Sequence, residues 1–334
     1  MTVRESSCRA LVRLLAQGGA PAGDGADWDA LLRIAEGREV DGLLYRRVRS
    51  AGASLAVPAG IQRRLREGYC MAGLRNAAVF ADVHAALAGL GARGVEAIVL
   101  KGAYLAEHVY ADPALRPMAD IDLLVRGSDW DAASAAMADL GYAPVGEVRG
   151  VPGSDHHELA FVKPGATPVE LHWTLERPAA PITVDVDGLW ARSVPAVCAG
   201  VEARRLGAAD LVVHLCLHAA YHHGWGEGFS GGLPLRALFD ISESIAALRP
   251  ELDWRQVGEV ANRGGMGPFV YCALRVVREL TGVPVPAAAL AGLDHAPGDD
   301  AVARTVVGVL TADEAPPVPV LWRRWVRAPE GRGR

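Results

Sequence analysis

Apolar residues recur at helical spacing through the N-terminal part of the chain. The clearest stretch opens at Pro58 and continues to about Leu90, with an apolar residue at every third to fourth position or a multiple of it. Such positions line one stripe of a helix, here Ile61, Leu65, Tyr69, Ala72, Val79, Val83 and Leu87. Gly91 and Gly94 predict its end, because glycine is favoured where helices stop. We therefore expect a helical region over residues 1–92.

Short apolar runs of strand length replace this pattern between residues 93 and 180. Strands are indicated by such runs when turn residues bound them. Pro164 and Gly165 form the predicted turn of a hairpin. The predicted strands cover 95–100, 120–125, 157–163 and 168–173, and the predicted helices between them cover 101–110 and 128–141. This mixture predicts a small α/β core with a mixed sheet.

Helical periodicity returns after a proline-rich connection. Four amphipathic segments predict a C-terminal helical region over residues 181–315, and the four prolines beyond it predict a flexible tail over 316–334. The fold class expected from these regions is α+β, with a small mixed sheet flanked by helices on its N-terminal and C-terminal sides. At ~150 residues per domain, a chain of 334 residues has room for two domains.

Composition narrows the classes of protein that fit. Hydrophobic residues make up 51% and charged residues 22%, which is enough apolar surface for a sizeable core. The five cysteines are scattered without a CxxC pair, which is typical of a reducing compartment and argues against a disulfide scaffold. No apolar run approaches the ~18 residues of a membrane span, and no signal peptide is recognisable. We therefore expect a cytoplasmic protein with no membrane partner.

The candidate chemistry centres on two aspartates at the start of a predicted strand. Asp120 and Asp122 share one face of that strand, because side chains alternate between its faces. At ~4 Å and an effective dielectric of ~20, their repulsion is on the order of 4 kcal/mol. A divalent cation relieves it, and carboxylate oxygens suit Mg²⁺ or Mn²⁺. Glu170, on the strand predicted over 168–173, is the expected third carboxylate.

A possible anion site precedes these carboxylates. Lys101 and Gly102 stand where the first predicted strand meets a helix, so that a charged amine and an accessible backbone face the same point. Lys101 is one of only two lysines in the chain, where arginine otherwise supplies the positive charge. Arg116, in the loop before Asp120, is expected to neutralise a second phosphate oxygen. The pattern therefore predicts that Lys101, Gly102 and Arg116 bind the phosphate groups of a ligand.

The run VLKGAYLAEHVYADPALRPMADIDLLV, followed by VELHW, resembles the largely uncharacterised bacterial nucleotidyltransferase group within the DNA polymerase β-type superfamily. DWDALLRIAEGREVDGLLYRRV, HLCLHAAYHH and LRALFDI resemble the same group, so the likeness covers most of the chain. It implies Mg²⁺ or Mn²⁺ held by Asp120, Asp122 and Glu170, with Gly102 at the phosphates of a nucleoside triphosphate, expected to be ATP. Such enzymes transfer a nucleoside monophosphate to a hydroxyl and release pyrophosphate.

Two features depart from the superfamily pattern. Its phosphate turn usually reads Gly-Ser or Gly-Gly, whereas this chain has Lys101-Gly102-Ala103, so Lys101 is expected to replace the missing serine hydroxyl. The spacing from Gly102 to Asp120 is also longer than usual.

Several roles remain open at this level. His172 shares a face with Glu170, so it either accepts the acceptor's proton, as Glu170 also could, or packs as a structural histidine. The acceptor is a small molecule, a peptide or protein side chain, or RNA, and the net charge of −5 disfavours RNA slightly. Further contacts to the nucleotide or acceptor are expected from residues of the C-terminal region, namely His218, His222, Arg236 and Asp240.

Two other functions compete with the transferase. One is a catalytically silent nucleotide-binding partner or scaffold of the same fold. The other is a metal hydrolase built on His214, His218 and His222, which follow each other at intervals of four residues and so line one helix face.

Overall fold

The computed structural model describes residues 6–17, 26–146, 155–222 and 235–313. These residues form an α+β fold with two compact units. Of the described residues, those up to 69 and those from 212 onward form one unit, and residues 70–146 and 155–211 form the other. The prediction of a mixed sheet with helical regions before and after it is confirmed.

Thirteen α-helices are found in the described ranges. They are α1 (Ser7–Gln17), α2 (Trp28–Gly37), α3 (Asp41–Ala51), α4 (Ala59–Ala92), α5 (Lys101–Tyr104), α6 (Trp130–Asp139), α7 (Val186–Arg192), α8 (Ala208–Leu217), α9 (Leu235–Ala247), α10 (Trp254–Arg263), α11 (Gly267–Thr281), α12 (Ala287–Ala291) and α13 (Asp299–Leu310). Five-residue π-helical segments, Leu105–Val109 and His218–His222, continue α5 and α8. None of these helices is both long and apolar enough to cross a membrane.

The unit formed by residues 70–211 contains a seven-stranded sheet. Its strands are β1 (Ile98–Val99), β2 (Ile121–Leu124), β3 (Ala143–Pro144), β4 (Glu158–Val162), β5 (Val169–His172), β6 (Val194–Cys198) and β7 (Val201–Arg205). The order across the sheet is β3-β4-β5-β2-β1-β7-β6. β2 runs parallel to β5 and β1 parallel to β7, whereas the other neighbours are antiparallel.

One face of the central strands is apolar and forms the core beneath the sheet. Ile121 pairs with Val169, and Val169 pairs in turn with Phe161 on β4, so the three side chains share that face. Trp130 of α6 lies on Phe161, with ring centroids 6.3 Å apart. All four residues are at most 2% exposed, and burying each such side chain contributes about 1.5–3 kcal/mol. The opposite face of the same strands is therefore left for polar residues.

The unit without the sheet is here called the helical unit, and helix α11 forms its centre. It packs against α1, α9 and α13, and eleven of its fifteen residues are buried. Pro268 stands in its first turn, where proline costs no hydrogen bond, and Gly282 ends it with a left-handed backbone at φ 73°.

The hairpin of β6 and β7 was not predicted. The sequence pattern predicts a C-terminal helical region over this stretch, whereas the structure adds both strands to the sheet beside β1. Neither strand has a continuous apolar run, because Pro195 interrupts β6 and Arg204 and Arg205 end β7. As the last strand of the sheet, β6 tolerates a proline that a central strand would exclude.

Candidate active site

The polar face of the central strands gathers carboxylates and a histidine. The parallel register of β2 and β5 pairs Asp122 with Glu170 and Leu124 with His172. The antiparallel register of β4 and β5 places Glu158 opposite His172. Because paired residues on neighbouring strands share a face, these side chains converge on one side of the sheet.

Asp122 lies at the centre of this cluster and is 3% exposed. Its Oδ1 is 2.8 Å from Lys101 Nζ and accepts a hydrogen bond of 3.1 Å from His172 Nε2. Burial opposes the charged form of Asp122, but the charges of Lys101 and His172 and their hydrogen bonds hold its pKa well below the usual value. The carboxylate is therefore ionised at neutral pH.

Lys101 follows β1 directly and has an unusual backbone. Its φ is 29°, in the left-handed region that non-glycine residues rarely occupy. Burial disfavours the ammonium, but Asp122, Asp120 and Glu158 outweigh this effect and raise the pKa of Lys101. Lys101, predicted to bind phosphate, is thus a counter-ion of Asp120 and Asp122 in this structure.

Glu170 completes a cluster with more negative than positive groups. Burial and the charges of Glu158, Asp122 and Asp120 raise the pKa of Glu170 to about 8. Asp120 is half-buried just before β2 and acts on both Glu170 and Lys101 through its charge. At neutral pH the Glu170 carboxyl therefore favours its protonated form, and a bound cation would instead stabilise its ionised form.

Glu158 belongs to the same face and was not predicted as a site residue. Its Oε2 lies 3.1 Å from His172 Nδ1 and 3.3 Å from His157 Nε2. Burial opposes ionisation, but the hydrogen bond from His157 and the charges of His172 and His157 lower the pKa of Glu158 to about 2. The alternation along 157–163 could have identified this face once the hairpin register was known.

Gly102 and Arg116, both predicted to bind nucleotide, contact each other. A Cβ atom placed on Gly102 would lie only 3.0 Å from Arg116 Nη1, so the guanidinium rests against the bare backbone. Arg116 is 6% exposed. A phosphate that approached Gly102 would therefore meet a positive charge already in place.

Asn76 of α4 holds the loop that carries Arg116 and was not predicted as a site residue. Its Nδ2 donates to the carbonyl oxygens of Pro113 and Arg116, at 2.6 and 2.8 Å, and its Oδ1 accepts from the Met118 N–H at 3.3 Å. The side chain is 1% exposed. A lone asparagine within a helical stripe gives no signal of this role.

The donor set of the cluster fits a divalent cation. Asp122, Glu170 and His172 each offer a ligand atom, and these atoms lie within 4.8 Å of one another. The structure thus brings together two of the predicted metal ligands, Asp122 and Glu170, and adds His172, which was predicted only as a proton acceptor. Asp120 is not in that group of atoms. Its role as a ligand remains a prediction.

The remaining predicted contacts belong to the helical unit. Arg236 Nη1 lies 3.4 Å from Glu39 Oε2, and Asp240 is 5% exposed. The rings of His214 and His218 are 6.2 Å apart, and no group of three potential metal ligands among the described residues includes either one. The side chain of His222 and the predicted tail 316–334 lie outside the described residues. Contacts of His218, His222, Arg236 and Asp240 with nucleotide or acceptor stay predictions.

Paired carboxylates beside a lysine and an arginine have the chemistry that phosphoryl-transfer sites use. Residues 24–282 match the family described as uncharacterised nucleotidyltransferase, and the chain belongs to this family. The resemblance seen in the sequence is confirmed. No curated protein sequence matches the chain significantly.

Solved structures that are similar to the chain include the following two. The solution structure of the antibiotic-resistance factor ANT(2'')-Ia aligns at 15% identity and a TM-score of 0.38, over 55% of this chain and 89% of that one. The crystal structure of an antigenic nucleotidyltransferase-like protein from Paracoccidioides brasiliensis aligns at 17% identity and a TM-score of 0.40, over 66% of this chain and 94% of that one.

Proposed function

We propose that the protein is a metal-dependent nucleotidyltransferase. It would move a nucleoside monophosphate from a nucleoside triphosphate, with ATP as the expected donor, to a hydroxyl of an acceptor and release pyrophosphate. The observation that carries this proposal is the direct pairing of Asp122 and Glu170 on parallel strands beside Lys101. The family assignment supports the same activity.

The charge balance of the cluster favours a divalent cation. The positive charge of Lys101 faces four carboxylates, those of Asp120, Asp122, Glu158 and Glu170. Burial and repulsion from the other three carboxylates raise the pKa of Glu170 to about 8. Asp122 and Glu170, with Asp120 as the predicted third ligand, would hold Mg²⁺ or Mn²⁺. When bound, the cation would neutralise charge at the transferred phosphate and acidify the acceptor hydroxyl.

The chain's own residues would bind the phosphates and move the proton. Arg116, fixed against Gly102, would neutralise one phosphate oxygen, and Lys101 would bind a second once a cation replaces it at Asp122. The proton of the acceptor hydroxyl would pass to Glu170 or His172, which share this face of β5.

The acceptor is best sought among small molecules and peptides. The net charge of −5 makes binding of a polyanionic acceptor such as RNA less favourable than binding of a small molecule or a peptide. Acceptor pools that contain sugars, amino alcohols, peptides and short RNAs would separate these classes in one experiment.

Transfer of label from an α-labelled nucleoside triphosphate tests the proposal. With Mg²⁺ or Mn²⁺ and an acceptor pool, the wild type should release pyrophosphate, whereas Asp122→Asn and Glu170→Gln should lose the activity by about 10³-fold. Glu67→Gln, which changes an exposed carboxylate of α4, is the matched control and should keep the full rate. Absence of pyrophosphate release by the wild type with every pool would contradict the proposal.

The ion pair of Lys101 with Asp122 favours a second candidate function, a catalytically silent nucleotide-binding protein. In that case the ammonium would replace a metal permanently. Calorimetric titration with a non-hydrolysable ATP analogue separates the two functions. A silent protein should bind the analogue equally well with and without Mg²⁺, whereas a transferase should need the metal.

A further inference from the structure

We propose that His157, Glu158 and His172 form a separate site for a transition-metal ion, beside the carboxylates assigned to the transferase reaction. The ligand atoms of these three residues lie within 4.8 Å of one another. The site uses the Nδ1 side of His172, whereas Asp122 and Glu170 lie on its Nε2 side. Neither the family assignment nor the proposed function uses these three side chains together as metal ligands.

The hydrogen bonds of His172 set the state of its two nitrogens. Nε2 lies 3.1 Å from Asp122 Oδ1 in hydrogen-bond geometry, and an ionised carboxylate accepts but does not donate. The proton of this bond is therefore on Nε2. Nδ1 carries a proton only in the charged ring, and a metal ion that binds at Nδ1 would replace that proton.

Nδ1 of His172 is buried and lacks a hydrogen-bond partner. It lies 3.1 Å from Glu158 Oε2, but the direction of the contact does not meet hydrogen-bond geometry. A metal ion placed between these two atoms would replace the Nδ1 proton and form a coordinate bond to each of them.

His157 supplies the third ligand. It stands just before β4, and its Nε2 is 3.3 Å from Glu158 Oε2. The side chains of His157 and His172 are 10% and 3% exposed, whereas that of Glu158 is 31% exposed. The group is therefore held rigidly on its two histidines and reaches solvent at its carboxylate, where an ion can enter and keep a water molecule.

The donor set selects the class of ion. Two imidazole nitrogens and one carboxylate suit Zn²⁺, Co²⁺ or Mn²⁺, whereas Mg²⁺ prefers oxygen ligands alone. Metal-bound histidines usually donate their other N–H to a carboxylate, which fixes the ring and strengthens the ligand. Asp122 already occupies that position for His172. The His172 imidazole thus links the proposed transition-metal site to Asp122, the centre of the carboxylate cluster assigned to the transferase reaction.

Titration of chelator-treated protein with Co²⁺, in the absence of nucleotide, tests the site. The wild type should develop the visible absorption of Co²⁺ with nitrogen ligands at one ion per chain. Zn²⁺ should abolish this absorption, and excess Mg²⁺ should not. His157→Ala should weaken Co²⁺ binding by at least about tenfold, whereas His156→Ala, at the neighbouring exposed position, should bind as the wild type does.

Thermal unfolding gives a second readout. Zn²⁺ should raise the melting temperature of the wild type and of His156→Ala but not that of His157→Ala. If His157→Ala does not fold, Glu158→Gln carries the same expectation with a nearly isosteric side chain. The proposal fails if the wild type gives no absorption, or if Glu170→Gln abolishes the absorption while His157→Ala retains it, since the ion would then occupy the transferase cluster. These results do not depend on whether the protein transfers nucleotides.

Discussion

Lys101 and Asp122 form a buried ion pair that joins the end of β1 to the middle of β2, with Nζ and Oδ1 2.8 Å apart. Their side chains are 15% and 3% exposed. Neither charge is well solvated, so each depends on the other for its stability in the folded protein. The pair is thus at once a part of the fold and a part of the candidate active site.

Replacement of Lys101 by methionine should destabilise the metal-free protein by about 3–5 kcal/mol, because it leaves the Asp122 carboxylate buried without its counter-ion. Asp122→Asn in the same chain should recover part of this loss, since no buried charge then remains. Urea unfolding of the two single variants and the double variant measures the coupling. Losses that simply add would show that the pair contributes nothing to stability.

The pKa of Glu170 predicts how the stability of the metal-free protein depends on pH. Folding raises that pKa from an ordinary value of 4.5 to about 8. A raised carboxyl pKa stabilises the folded state most below the ordinary value, and the benefit is lost as the pH rises through the folded value. The melting temperature of the wild type should therefore fall between about pH 5 and about pH 8, and that of Glu170→Gln should fall less.

Two comparisons isolate this effect. Glu158 acts in the opposite direction, because its pKa is lowered to about 2 and its contribution is lost only as the pH falls below its ordinary value of 4.5. It does not titrate in the window used for Glu170. Glu67→Gln should follow the wild type throughout. If the wild type and Glu170→Gln change in parallel with pH, Glu170 is already ionised and the prediction is wrong.

Asn76→Ala should weaken nucleotide binding through the loop that carries Arg116. The change leaves two carbonyl groups and one N–H without the bonds they make to Asn76, at a cost of about 2 kcal/mol. We expect KM for the nucleoside triphosphate to rise by about tenfold with a smaller change in kcat. Steady-state kinetics and urea unfolding check the two parts.

Asn262 offers a matched control for this variant. It bridges a loop in the same way, donating to the Gly292 carbonyl and accepting from the Asp294 N–H, but it lies in the helical unit. Asn262→Ala should destabilise the protein and leave KM unchanged. A similar rise of KM in both variants would mean that lower stability alone explains the effect of Asn76.

Gly102→Ala should displace Arg116, because the added methyl group would lie 3.0 Å from its Nη1. We expect weaker nucleotide binding, by about tenfold, from a misplaced guanidinium. Gly91→Ala in α4 is the control, since no atom would contact its methyl group and alanine favours a helix by about 0.5–1 kcal/mol. Fluorescence titration with a labelled nucleotide analogue measures both. Unchanged affinity in Gly102→Ala would contradict the assignment of Arg116.

The sequence was sufficient for those parts of the site that depend on a single strand. Alternation predicted a shared face for Asp120 and Asp122 and, on another strand, a shared face for Glu170 and His172. The register of β2 and β5 then brings Asp122 and Glu170 together. The apolar run of β1 located Lys101 and Gly102 at its end. These predictions needed only the local periodicity of the chain, which the fold did not override.

Features that depend on pairing between distant segments could not be read from the sequence. Glu158 joins the cluster only because β4 pairs with β5 in a particular register, and a shift by one residue would turn it to the other face. The ion pair of Lys101 was hidden for the same reason, because it requires β1 beside β2. The strands β6 and β7 carry too many polar residues and a proline for an apolar run to reveal them.

The left-handed backbone of Lys101, at φ 29°, constrains which residues this position can accept. Glycine would adopt the turn without strain but would remove the ammonium, whereas arginine would keep a charge but not the compact geometry. Lysine bears the same backbone strain here as any residue other than glycine, and its compact ammonium pairs with Asp122. The rest of the chain uses arginine almost throughout, so the buried pairing with Asp122 accounts for a lysine at this position.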